Sequence, residues 1–186
     1  MLIDTLLNAK AEAWLGVMGV VVGALLSIFG TWLTMRSNLQ QAKLKLEYER
    51  KVSQGNLRRE RLEELHVLVS AWGKEFFSNY MSLDLVMKGH QSYNDYLDDF
   101  ISKERNVDFS RIEMIVDIYG RGLLERYGDV LEARYEVNKV NGAHKNAYRR
   151  GESGEKFVGP AADAQLRLGD TIEELKLAIA VEARVG

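Results

Sequence analysis

The feature that most constrains this chain is an apolar run at positions 13–35, AWLGVMGVVVGALLSIFGTWLTM, which contains no ionisable side chain. At 1.5 Å per residue, a helix of this length crosses about 30 Å of hydrocarbon. A buried core helix is rarely apolar on every face over so many turns. The run therefore predicts a single transmembrane helix.

The charges on either side of the run predict its orientation. Only Lys10 precedes it among basic residues, whereas Arg36, Lys43 and Lys45 follow it. Positive flanks are retained in the cytoplasm. A cleaved signal peptide is disfavoured, because the preceding segment carries acidic residues and no small-x-small site follows. We expect a single-pass protein of the cell membrane, which in a bacterium would be the inner membrane. The N-terminal tail, residues 1–12, would lie outside the cytoplasm, and the C-terminal domain would lie in it.

Both ends of the predicted span carry residues suited to the membrane interface. Trp14 and Trp32 stand near its two ends, where an indole ring prefers the level of the headgroups. Arg36, Lys43 and Lys45 are placed to meet anionic lipid, at about 1 kcal/mol per charge near the surface. These five residues are predicted interface anchors, and the basic ones serve equally well as a topology signal alone.

Small residues share one face of the predicted membrane helix. At 100° per residue they fall within a narrow stripe, and Gly19 with Gly23 forms a G-x-x-x-G pair. Such a stripe lets two helix backbones approach closely in lipid, so it predicts a homo-oligomer, although glycine is also common in membrane helices generally. The predicted self-association residues are Gly16, Gly19, Gly23, Ser27, Gly30 and Thr34.

Composition favours helices for the rest of the chain. Its 186 residues include one proline and no cysteine, so disulfides and thiolate chemistry are excluded. Residues 36–56 predict a basic helical stalk with a bend near Ser53 and Gly55, and residues 57–186 predict one bundle domain. The clearest amphipathic pattern, which predicts the main core helix, comprises Leu62, Leu65, Val69, Trp72, Phe76, Tyr80 and Leu83.

Turn and cap residues divide the remainder into shorter helices. Gly89 predicts the end of the core helix, and Ser92 and Ser110 have the spacing of N-caps for the next two. Gly120 and Gly122 predict a break. A polar, glycine-containing stretch predicts a mobile loop at about 141–160, after which Pro160 opens a last helix.

Together these elements predict an all-α fold: one N-terminal transmembrane helix, a stalk, and a cytoplasmic antiparallel helical bundle. No strand pattern and no internal repeat is present in the sequence.

No residue pattern in the sequence meets the requirements of a catalytic or metal site. Glu63 and His66 form a single E-x-x-H, whereas a di-iron bundle needs two copies and further carboxylates. Acidic residues at positions 95, 98 and 99 lack the spacing of a calcium loop, and Gly120–Glu125 lacks the third glycine of a dinucleotide fingerprint. We expect no enzyme activity, no cofactor and no metal. A net charge of -2 and a pI of about 6.0 also argue against nucleic-acid binding.

Two classes of function fit these features. The first is a membrane-anchored interaction or scaffold module that self-associates in the bilayer and binds a cytoplasmic protein. The second is a membrane-active, pore-forming effector of a defence or toxin type, triggered through its cytoplasmic domain. Only one of the adjacent residues Phe76 and Phe77 can face the core, so the other is a predicted anchor for a partner helix.

Overall fold

The computed structural model describes residues 2–103 and 107–185, with side chains from residue 15 onward, apart from residues 17 and 185. The described chain is all-α, which confirms the predicted fold class, and within those ranges it contains no strand. Two short 3-10 turns, Arg121–Leu123 and Glu155–Phe157, interrupt the helices. The helices are α1 (Leu2–Met87), α2 (Tyr93–Ser102), α3 (Phe109–Tyr119), α4 (Leu124–Arg149) and α5 (Val158–Val185).

The chain divides into two compact units, Met1–Ser53 and Gln54–Gly186. In the first unit, every described side chain of α1 from Leu15 onward is exposed. Among the described residues, α1 is the one helix long and apolar enough to cross a membrane. The side chain of Trp14 lies outside the described residues.

The bend predicted at Ser53 and Gly55 is not accompanied by a break in secondary structure, and the boundary between the two units falls at the same place, after Ser53. Helix α1 is assigned without interruption through both residues. An isolated glycine inside a helix costs only about 1 kcal/mol relative to alanine, and strong helix formers surround Gly55 on both sides.

The second unit is a helical bundle, and the amphipathic face predicted for α1 lies in its core. Trp72 is 1% exposed and Leu62 is fully buried, while Phe76 packs against the core from its edge. Gly73 lets α1 approach α5 closely, because a Cβ there would lie 3.3 Å from Ile172 Cγ2. The predicted face of α5 is also confirmed, with Leu168, Ile172, Leu175 and Ile179 buried.

The predicted turn before α2 is confirmed. Gly89 follows the end of α1 with a φ of 72°, a left-handed conformation that glycine adopts without strain. Ser92 then caps α2, because its hydroxyl accepts a hydrogen bond from the backbone N–H of Asp95 at 3.1 Å.

The start of α3 differs from the prediction. Ser110 lies inside the helix, and the N-cap is Asp108, whose Oδ1 accepts from the N–H of Arg111 at 3.0 Å. An aspartate caps at least as well as a serine. The break at the glycines is confirmed, because α3 ends at Tyr119 and Gly120 is its C-cap.

The loop predicted at 141–160 is wrong over most of its length. Helix α4 continues to Arg149, and Val158 already begins α5, with Pro160 in the first turn where it needs no N–H partner. Burial of His144 and Ala147 against the bundle stabilises the added turns. The true connection is short and turns at Gly151, whose φ is 74°.

Candidate functional site

The stripe of small residues on α1 is open along its length. A Cβ built on Gly16, Gly19, Gly23 or Gly30 would meet no heavy atom within 4 Å. The hydroxyls of Thr31 and Thr34 donate to backbone oxygens one turn earlier in the same helix, at 2.8 and 2.9 Å. These hydrogen bonds satisfy the hydroxyl protons of both threonines.

The C-terminal half of the stripe forms a shallow groove, which extends past the end of the predicted membrane span. It brings together Ser27, Gly30 and Thr34 from the stripe with Leu39 and Ala42 of the predicted stalk. Gly16, Gly19 and Gly23 do not line this groove. The two sequence patterns, small residues in the apolar run and apolar residues in the stalk, therefore meet on one face of α1.

The predicted interface anchors on the basic side of the run include a contacting pair. The guanidinium of Arg36 lies 5.5 Å from the centre of the Trp32 ring, and Phe29 packs beside that ring. Lys43 and Lys45 are exposed, and Lys45 has only a loose 3.9 Å contact with Glu49. A cation over an indole at the end of an apolar run suits the headgroup level of a bilayer.

In the second unit, a surface groove runs between α1 and α5. Phe77 is 57% exposed and lies at this groove, whereas Phe76 turns inward. Leu166 on the α5 side is 67% exposed, and Gly169 leaves open space beside it. Two large apolar side chains thus face solvent across one groove, which we call the α1–α5 groove.

Charged side chains border the α1–α5 groove. Lys74 lies on the α1 side, and Asp170, Glu173 and Lys176 lie on the α5 side. Lys176 donates to Glu173 at 2.7 Å, so that pair is already satisfied. The rim therefore carries both signs of charge around an apolar centre.

Two ion pairs between distant helices fix the bundle near the start of the second unit. Arg111 donates to both carboxylate oxygens of Glu64, at 2.6 and 2.9 Å, and Arg61 adds a third hydrogen bond. These hydrogen bonds lower the pKa of Glu64 to about 2. Arg58 pairs with Glu182 of α5. Such pairs set register between helices and have no exposed reactive group.

The residues considered for metal or acid–base chemistry are not brought together. Glu63 accepts from Arg59 at 2.9 Å, and Asp99 pairs with Lys103 at 2.6 Å. Among the side chains that the structure describes, no three carboxylate or imidazole groups are placed to share a cation. Both acidic groups act as partners of basic side chains on their own helices.

His144 is a buried residue that the sequence analysis did not single out. It is 0% exposed, and neither ring nitrogen has a hydrogen-bond partner among the residues that the structure describes. The rings of Tyr93, Tyr148 and Phe157 surround it at 5.6 to 6.4 Å between centroids. Burial lowers its pKa below the ordinary value of 6.5. The sequence gives no signal for this burial, because the polar stretch around His144 predicts a loop.

The burial of His144 predicts a pH-dependent stability. Below pH 6.5 the imidazole of the unfolded chain takes up a proton that the folded state does not accept. The free energy of unfolding should therefore fall as the pH drops from 6.5, by at most about 1.4 kcal/mol per pH unit. Urea denaturation at pH 7.5 and 5.5, with His144→Leu as the variant, measures this contribution.

The control for that measurement is His66→Leu, because His66 is only half-buried. We expect His144→Leu to lose most of the stability difference between the two pH values, and His66→Leu to keep it. An unchanged difference in His144→Leu would contradict the assignment.

Comparison with known proteins finds no matching family, no matching curated protein and no matching solved structure.

Proposed function

We propose that this protein is a membrane-anchored helical interaction module, whose second unit binds a partner protein through the α1–α5 groove. The observation that carries the proposal is the exposure of Phe77 and Leu166 on opposite sides of one groove. Exposed large apolar residues that share a concave surface are typical of protein-binding sites, whereas isolated ones are ordinary.

The shape and charge of the groove favour one kind of partner. A groove between two helices with an apolar centre accepts the apolar face of an amphipathic helix. Lys74 and Asp170 on its rim have opposite charges, so a partner with both acidic and basic flanking residues is complementary. The partner is then an amphipathic helix with mixed charge, exposed on a cytoplasmic protein.

We propose two roles for the first unit, membrane anchoring and self-association. Its apolar helix is long enough to cross a bilayer, and the Arg36–Trp32 contact marks the end from which the stalk continues. The proposed orientation places the second unit in the cytoplasm. The open small-residue stripe is the proposed contact with a second copy of the chain.

Partner binding is tested by in vivo photo-crosslinking. A crosslinking amino acid at position 77 should capture a specific protein, and one at Val67, which is at least as exposed but lies outside the groove, should not. In a pull-down with the identified partner, Phe77→Ala should weaken binding at least about 30-fold, because a central aromatic anchor of an interface costs about 2 kcal/mol or more when truncated. Equal capture from both positions, or binding unchanged by Phe77→Ala, would contradict the proposal.

Self-association is tested separately, with a membrane-helix dimerisation reporter that carries residues 13–35. Gly23→Ile should reduce the signal strongly, because a branched side chain in the stripe separates the two backbones. The control is Val21→Ile, on the opposite arc of the helix, which should leave the signal unchanged. A Gly23→Ile signal equal to that of the unchanged helix would refute the proposed contact.

The membrane-active effector is the competing proposal, and one observation weighs against it. A pore lined by one helix per subunit uses exposed polar groups along a stripe, yet the Thr31 and Thr34 hydroxyls donate to their own helix. Recording membrane potential during expression decides between the two. Rapid depolarisation that disappears in Gly19→Leu would exclude the scaffold and favour the effector.

A further inference from the structure

A cavity of about 310 Å³ lies inside the second unit, and side chains from all five helices line it. Its volume falls in the range of small-molecule sites. Unlike the α1–α5 groove, it has several polar side chains on its wall. They are Glu75, Asn79, Arg134, Asn138, Asn141 and Gln165.

The polar residues of the cavity on α1 and α4 are spaced so that those of one helix share a face. Glu75 and Asn79 are four residues apart on α1, and the three polar residues of α4 follow at steps of four and three from Arg134. Residues spaced in this way share a helix face. The face on α4 also includes Val137, which is buried. Two polar helix faces therefore border one cavity next to the core.

These polar side chains do not pair with one another. In the described part of the chain, none of the six makes a hydrogen bond or an ion pair to another residue's side chain or backbone. Gln165 is the strongest case, because it is only 8% exposed and its Oε1 is buried without a partner. A buried amide oxygen without a hydrogen bond costs about 1–3 kcal/mol, which a ligand in the cavity would recover.

Aromatic rings form another part of the wall. Phe76 and Phe109 line the cavity, and both pack edge-on against the buried Trp72, at 5.6 and 5.5 Å. The Arg134 guanidinium lies 5.3 Å from the centre of the Phe109 ring. These contacts fix the rings in place and offer a flat apolar surface to a bound molecule.

We infer that this cavity binds an uncharged nucleobase or nucleoside. Asparagine and glutamine amides present a donor and an acceptor side by side, the complement of a nucleobase edge. Aromatic walls accept the face of a heteroaromatic ring. Glu75 and Arg134 contribute opposite charges, so the wall has no concentrated positive field for a phosphate.

This inference goes beyond the proposed function and does not depend on it. The two sites are nevertheless adjacent, because Tyr80 and Gln165 line both the cavity and the α1–α5 groove. A ligand that hydrogen-bonds to Gln165 would contact a wall that the two sites share.

The test is calorimetric titration of the full chain in lipid nanodiscs with adenosine, guanosine, cytidine and uridine, each to millimolar concentration. The variants are Gln165→Leu and Asn138→Leu. The second is exposed and should fold normally, so it keeps the test valid if the first does not fold. Asn146→Leu is the matched control, because Asn146 is an exposed asparagine of α4 outside the cavity.

We expect at least one nucleoside to bind, and each cavity variant to weaken that binding by about 5- to 150-fold, the value of one bidentate amide contact. The Asn146→Leu control should bind like the unchanged chain. Failure of all four nucleosides to bind overturns the inference. Binding that both cavity variants retain overturns it as well.

Discussion

Replacing Trp72 with alanine should destabilise the bundle by about 3–5 kcal/mol, the range for removing a fully buried aromatic side chain. Trp72 is 1% exposed, and the rings of Phe76 and Phe109 pack against its faces and edges. Its removal leaves a cavity that these rings cannot fill without leaving their rotamers. Because most single domains are stable by only 5–15 kcal/mol, this loss is large enough to populate the unfolded bundle.

The measurement is urea denaturation of the full chain in detergent, followed by circular dichroism at 222 nm. The control is Phe77→Ala, which removes a neighbouring aromatic ring that is more than half exposed and should change stability by less than about 0.5 kcal/mol. A cost below about 1 kcal/mol for Trp72→Ala would contradict the core described above.

A second variant at position 72 separates packing from hydrogen bonding. The indole Nε1 of Trp72 is buried without a partner in the described residues. Trp72→Phe keeps an aromatic ring and removes that unsatisfied N–H, so it should cost much less than Trp72→Ala. Equal costs for the two variants would contradict this expectation.

The second large effect is expected at Gly154, where even a methyl group does not fit. A Cβ there would lie 2.7 Å from the backbone oxygen of Met87 and 2.8 Å from Nε2 of His144. Two of the three closest atoms belong to the Met87 backbone, which cannot move as a side chain does. Overpacking of this kind typically costs 1–3 kcal/mol, so we expect Gly154→Ala to destabilise by about that amount.

Backbone conformation does not explain this cost, because Gly154 has a φ of -78° that alanine adopts freely. The matched control is Gly128→Ala in α4, where nothing lies within 4 Å of the added Cβ. That variant should stabilise the bundle by about 1 kcal/mol through helix propensity. Thermal denaturation of the two variants should therefore shift the midpoint in opposite directions, and a shift of the same sign would refute the steric argument.

Helix termini show how far local sequence information extends. The cap at Ser92 and the turn at Gly89 depend on residues within one helical turn, and both were predicted correctly. At α3 two capping residues were available, Asp108 and Ser110, and spacing alone selected the wrong one. The choice between competing local caps depends on where the whole helix docks.

Features that arise from one segment and its solvent could be predicted from the amino-acid sequence. The apolar run at 13–35 predicts its own helix, because an uncharged segment of that length has few other stable states. The core faces of α1 and α5 also follow from periodicity alone, because the apolar residues of each helix lie on one face and are removed from water only when that face is buried.

Which polar segments become ordered, and which polar groups become enclosed, depends instead on the packing between helices. The stretch 141–149 is polar enough to predict a loop, yet it is helical because His144 and Ala147 are buried among residues distant in sequence. The cavity beside Gln165 likewise exists only where all five helices meet. The cavity is the space that remains when the five helices pack together. The residue pattern within one helix does not predict that space.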